Sequence, residues 1–192
     1  MKYEVTEAGP MRTELWNQKT VRVHSGGFNI NPNDFPRSVE YVKQGTPLSI
    51  DWSTRNAKPV KTVKLTAALG AGATEILVKK GHLFIVGNHI GNGTKASTIT
   101  AIESEDDTTD KITIDAALGA QPIDTVLTES TEAGDNKALV TASVLNYADV
   151  KLEGQPSVSG IYAADEVRES RLPYPITAAI KESLTVRFLF IP

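Results

Sequence analysis

Residues 63–126 constrain the fold more than any other part of the chain, because short β-type runs alternate there with Gly and Pro breakers. The pentapeptide Ala-Ala-Leu-Gly-Ala occurs twice, at 67–71 and at 116–120. Each copy lies beside short runs of alternating apolar and polar residues and leads through Gly or Pro into another β-type run. A small all-β module is punctuated in this way. Between the copies lie Thr74-Glu-Ile-Leu-Val78, Phe84-Ile-Val86 and Ser97-Thr-Ile-Thr-Ala-Ile102, each read as a strand. The acidic run 103–110 reads as a solvated hairpin loop, since it lacks the Gly and Glu positions of a calcium loop.

The flanks read the same way. Thr20-Val-Arg-Val-His24 alternates, and the turn-rich stretch 25–36 that follows carries Phe28, Ile30 and Phe35 as apolar pins. Ser38-Val-Glu-Tyr-Val42 and Pro47-Leu-Ser-Ile-Asp-Trp52 read as strands joined by a turn at Gly45, and the second should present Leu48, Ile50 and Trp52 on one face. After residue 137, runs at 138–145, 148–152 and 157–162 read as further strands. Ile176, Ile180 and Leu184 are spaced for one short helix preceded by Pro173 and Pro175. The run 184–190 predicts a last strand, buried on both faces.

The expected fold is therefore all-β, mainly strand with one short helix near the C-terminus. The strand spacing fits a sandwich or a barrel. At 192 residues the chain can form one domain with an insertion. The expected organisation is an extended N-terminal arm at 1–18, a β domain split between 19–62 and 137–192, and an inserted β module at 63–136. Trp16 stands out in that polar arm: a large aromatic there either meets a partner or packs on its own domain.

Composition narrows function by exclusion. The formal charge is −3 and the basic residues are dispersed, so nucleic acid is not the expected partner. No run approaches the roughly 18 to 20 apolar residues that cross a bilayer as a helix, and the polar opening, Met1-Lys-Tyr-Glu-Val-Thr-Glu7, has no apolar signal-peptide core. With no cysteine, thiolate chemistry and disulfides are absent. His24, His82 and His89 have no metal-ligand spacing and read as exposed loop histidines, and Gly91-Asn-Gly-Thr-Lys95 reads as a turn rather than a phosphate loop. No nucleophile elbow is present. Neither cofactor nor catalysis is expected.

The segment 65–90, with Ala-Ala-Leu-Gly-Ala-Gly-Ala-Thr followed by a β-run and Phe84-Ile-Val-Gly87, resembles a β module of tailed-phage virion proteins. Ser38-Val-Glu-Tyr-Val-Lys-Gln-Gly-Thr-Pro-Leu-Ser-Ile-Asp51 is similar to the opening of phage capsid decoration and head-fiber proteins, and 143–150, 158–162, 166–169 and 172–190 to their closing half. The resemblance implies a structural protein of a phage or prophage virion, made in the bacterial host cytoplasm. It implies binding to the major capsid protein on the capsid exterior, often as a homotrimer, through an N-terminal arm whose contact residues here would be Val5, Met11, Leu15 and Trp16. Two other classes stay open: a carbohydrate- or cell-surface-binding module, which exposed aromatics would favour, and a hydrolase, which a deep pocket with convergent carboxylates would favour.

Overall fold

The computed structural model describes residues 14–24 and 26–192. The chain begins with β1 (Arg22–Val23), β2 (Phe28–Ile30), β3 (Tyr41–Val42), β4 (Pro47–Asp51) and β5 (Asn56–Pro59). The middle supplies β6 (Thr62–Lys64), β7 (Glu75–Lys79), β8 (His89–Gly91), β9 (Lys95–Ser104), β10 (Thr109–Ile114), β11 (Val126–Glu129) and β12 (Gly134–Asp135). The last part supplies β13 (Val144–Asn146), β14 (Val150–Lys151), β15 (Ser157–Val158), β16 (Gly160–Arg168), the helix α1 (Ala178–Leu184) and β17 (Phe188–Ile191). The protein is thus mainly β with one helix near the C-terminus.

Pairing sorts these strands into two sets. One sheet runs β1-β16-β13-β4-β5-β2-β15 with β17 beside β16, and β3 pairs with β14 in a small separate ladder. The other runs β6-β11-β8-β9-β10-β7, with β12 beside β9. Among the described residues no ladder joins a strand of 62–135 to a strand of 22–59 or 144–191. We call these the middle unit and the outer unit. None of the sheets closes into a barrel. The middle sheet comes nearest: its end strands β6 and β7 meet at one bridge, Leu65 to Val78, where the Thr66 N–H donates to the Leu77 carbonyl at 3.0 Å.

The middle unit follows from alternation. Ile76 and Val78 of β7 and Ile112 and Ile114 of β10 face inward, two residues apart on antiparallel neighbours. They join Val63, Ile90, Ile99 and Leu127 in one apolar cluster. The repeated pentapeptides contribute equivalently: Leu69 and Leu118 are both buried there, and Leu69 exchanges backbone hydrogen bonds with Gln121 just beyond the second copy. The acidic run forms the β9–β10 hairpin loop, where an Asp106 carboxylate oxygen accepts the Thr108 and Thr109 N–H groups. Asn92 does the same for Thr94 and Lys95 in the β8–β9 turn.

The outer unit has two apolar clusters. Phe28, Ile30 and Phe35 are all buried, as the pin reading expects, in one that also holds Leu48, Ile50, Val144 and Val158. The other collects Val60, Leu145, Ile161, Val167, Ile180, Leu184 and Phe188. Helix α1 starts where Thr177 accepts the Ile180 N–H on its hydroxyl, an N-cap that satisfies one free amide. It runs through Leu184, which therefore belongs to the helix and not to the final strand. Thr185 then turns at φ +68°, and β17 begins only at Phe188. Val186 is fully exposed and Leu189 is exposed in this run, so it is not buried on both faces as the sequence predicts.

A loop links the units. Residues 82–86 contain no strand, contrary to the reading of Phe84-Ile-Val86. The stretch instead divides its side chains: Leu83 enters the outer cluster of Phe28 and Leu48, while Phe84 enters the cluster of the middle unit.

Candidate functional site

The β4–β5 turn carries the most exposed aromatic side chain among the described residues. β4 ends at Asp51, whose carboxylate accepts the Ser53 hydroxyl at 2.6 Å and the Ser53 and Thr54 N–H groups at 2.9 and 3.3 Å. These bonds hold its pKa down to about 2, the side-chain bond from Ser53 being the largest cause. The chain turns tightly here, with Arg55 at φ +56°. Trp52 consequently leaves the face of Leu48 and Ile50 and is 52% exposed. Period-two alternation holds only while the strand lasts.

Rings converge on Trp52. Its centroid lies 4.8 Å from that of His24 and 5.5 Å from that of Phe28, both edge-on, and His24 lies 4.5 Å from Tyr162. Phe28 is the buried floor of this group. Arg55 lies over the Phe28 ring, 4.6 Å from its centroid, and donates to the Gly27 carbonyl at 3.1 Å. His24, tied by its N–H to the Gly160 carbonyl, has its pKa lowered first by burial and then by the nearby Arg187 and Arg55 cations. The ring is therefore neutral at pH 7. An exposed Trp beside Tyr, His and Arg on a rigid sheet end suits stacking and multivalent hydrogen bonding to another molecule.

The position of this patch follows from topology. β4 and β5 are antiparallel, so the turn at 52–55 lies at the end of the pair opposite Pro59–Lys61, where the chain crosses into the middle unit. Four residues of strand separate the two ends by about 13 Å. Tyr174 lines a groove of about 590 Å³ with Lys80 and Gly81 of the middle unit. Along the β4–β5 pair, Trp52 and the crossing into the middle unit thus lie at opposite ends.

Of the residues expected to form a capsid-contact arm, Val5 and Met11 lie outside the described residues. Leu15 and Trp16 are placed in the outer unit's own core, at 7% and 1% exposure, packed with Val60, Ile161, Ile180 and Phe188. Their backbone extends the sheet: the Asn17 N–H donates to the Asp165 carbonyl and the Arg168 N–H to the Leu15 carbonyl. In this conformation neither side chain is offered to another molecule. Nor are the histidines alike: His82 is buried, contrary to the loop reading, and its Nδ1 accepts the Phe84 N–H at 3.2 Å.

A buried polar pair also escaped the sequence. Lys61, at the crossing between units, is 3% exposed and donates to Asn88 Oδ1 at 2.7 Å. Burial lowers the Lys61 pKa and raises that of Glu129, and each is opposed by the charge of the other. Such a pair holds position more than it adds stability. Among the described residues no group of three or more His, Cys, Asp and Glu is placed to hold a metal ion. Comparison with protein-family models, with curated proteins and with solved structures gives no match to this chain.

Proposed function

We propose that this chain is a non-enzymatic structural protein of a phage or prophage virion, bound to the major capsid protein on the outside of the head. The observation that supports the reading is the separation of Trp52 from the crossing into the middle unit along the β4–β5 pair. One end of the pair carries an exposed aromatic beside an arginine; at the other the chain enters a second folded unit. A protein that attaches by one end and presents the other needs this arrangement. The contact is placed at Trp52, Tyr162 and Arg55 because Leu15 and Trp16 serve the protein's own core. On a lattice of repeated subunits, a homotrimer would convert a weak contact of this size into stable occupancy.

The test is sedimentation of the purified protein with heads of the encoding phage or prophage that lack it. Wild-type protein co-sediments, and Trp52→Ala weakens binding by at least about tenfold, as loss of a hot-spot residue does. Undiminished binding by the variant refutes the contact, and absence of binding by the wild type refutes the reading. Light scattering checks the trimer.

A second reading is favoured by one feature, the exposed ring of Trp52 with Tyr162 beside it. Stacking on a sugar face uses such rings. Binding of a neutral oligosaccharide that quenches Trp52 fluorescence, without binding to heads, would select it.

A further inference from the structure

His82, Leu83 and Phe84 are three consecutive residues with three different jobs. Phe84 is part of the middle unit's core and Leu83 part of the outer unit's core, each 1% exposed. His82 sets the geometry between them. Its Nδ1 accepts the Phe84 N–H, which assigns the ring proton to Nε2 in the neutral form. Among the described residues Nε2 has no hydrogen-bond partner, and Asp110 Oδ2 of β10 is 3.5 Å away. A doubly protonated ring cannot accept the Phe84 N–H. Protonation would therefore set two N–H groups against each other inside a packed site.

We propose that residues 82–84 are an acid-released bolt between the two units: protonating His82 ejects the Phe84 N–H from Nδ1, unseats Leu83 and uncouples the middle unit from the outer one. The charges around the ring have opposing effects. Asp110 favours the protonated form; Lys61, at the crossing between units, disfavours it, and Lys80 at the end of β7 competes for Asp110 at 4.0 Å. Lys64 and Lys79 line the same groove, Lys64 being paired with Asp124 at 2.7 Å. Tyr174, across the groove, remains a neutral phenol because burial lifts its pKa to about 12. Burial outweighs Asp110, so His82 titrates below its ordinary value of 6.5. The sign follows: at neutral pH the ring is uncharged whether the chain is folded or not, and below 6.5 the opened form takes the proton first, so coupling weakens as pH falls.

Other contacts at the junction contain no histidine. Ile85 lines a groove with Phe35, Val39 and Leu152, Thr62 donates its hydroxyl to the Pro175 carbonyl at 2.6 Å, and Lys61 holds Asn88. Release is therefore a loosening of the junction, with both units folded.

The experiment is calorimetry from about pH 7.5 to about pH 5, the range in which an imidazole switches, on wild-type protein and His82→Asn. The asparagine carbonyl keeps an acceptor for the Phe84 N–H and does not titrate. We expect one cooperative transition for both proteins at the higher pH, and two separated transitions at the lower pH for the wild type alone. Equal splitting in both proteins, or in neither, overturns the proposal. If His82→Asn does not fold, hydrogen exchange of wild-type protein, corrected for the intrinsic pH dependence, decides. Protection of the Phe84 amide then falls at least about tenfold on acidification while that of Ile112 holds, and parallel behaviour of the two amides overturns it.

Discussion

The two tryptophans mark regions of opposite design within one sheet. Trp16 sits where the N-terminal segment runs along β16, with 1% of its surface exposed and its side chain among apolar groups from α1, β16 and β17. Trp52 sits past the end of β4, about half exposed, among rings and arginines. The first region is held by apolar packing that must stay closed. The second is held by the hydrogen bonds of Asp51 and by the buried ring of Phe28, which leaves about half of the Trp52 indole in solvent. Stability thus rests on one tryptophan and the contact proposed above on the other, and changing one should leave the other's task intact.

Substitution of Trp16 by Ala should have the largest effect. Removing a buried indole costs about 3–5 kcal/mol, and thermal unfolding of the outer unit should show a fall of that size. Trp16→Phe should be far milder, because the Trp16 indole N–H has no hydrogen-bond partner among the described residues. A small loss in Trp16→Ala would break the comparison.

Gly45→Ala should come next. Gly45 turns at φ +83°, and a Cβ there would lie 3.0 Å from Leu15 and Leu172 side-chain atoms. The left-handed conformation alone costs a non-glycine residue about 1–2 kcal/mol, and the contact would push Leu15 off its seat. Denaturant titration should show the loss, with Trp16 fluorescence shifting toward that of an exposed indole.

Trp52→Ala should lower stability by about 1 kcal/mol, the worth of its edge-on ring contacts. Acrylamide should quench Trp52 strongly and Trp16 weakly, so the variant should lose the quenchable share of the emission. The smallest effect belongs to Asp51. Its pKa of about 2 lies below the ordinary 3.8, so the turn's support from the ionised carboxylate is complete above 3.8 and is lost as pH falls through about 2. A carboxylate titration by NMR with its midpoint near 3.8 would show that the turn does not hold Trp52 out as described.

Much of the architecture could be read from residue patterns. The alternation of Ile76 with Val78 and of Ile112 with Ile114, the pins Phe28, Ile30 and Phe35, the turn at Gly45 and the existence of one short helix around Ile180 each depend on neighbours a few residues apart. The breakers in residues 63–136 likewise mark a run whose strands pair among themselves. The site was far less legible. The pattern 47–52 promised an inward Trp52 because alternation carries no information about where a strand stops. Nothing near Trp16 or His82 in sequence marks either as buried.

By itself the sequence determined the mainly β character and the position of many of the strands, since backbone period and turn chemistry act over a few residues. Tertiary structure alone decided that Trp16 is core and Trp52 surface, that Leu83 and Phe84 serve different cores, and that Lys61 is buried against Asn88. Each of those outcomes rests on side chains distant in sequence, such as Trp16 with Ile161 and Leu83 with Val144. Burial is a property of the assembled neighbourhood, and only chain closure brings those neighbours together.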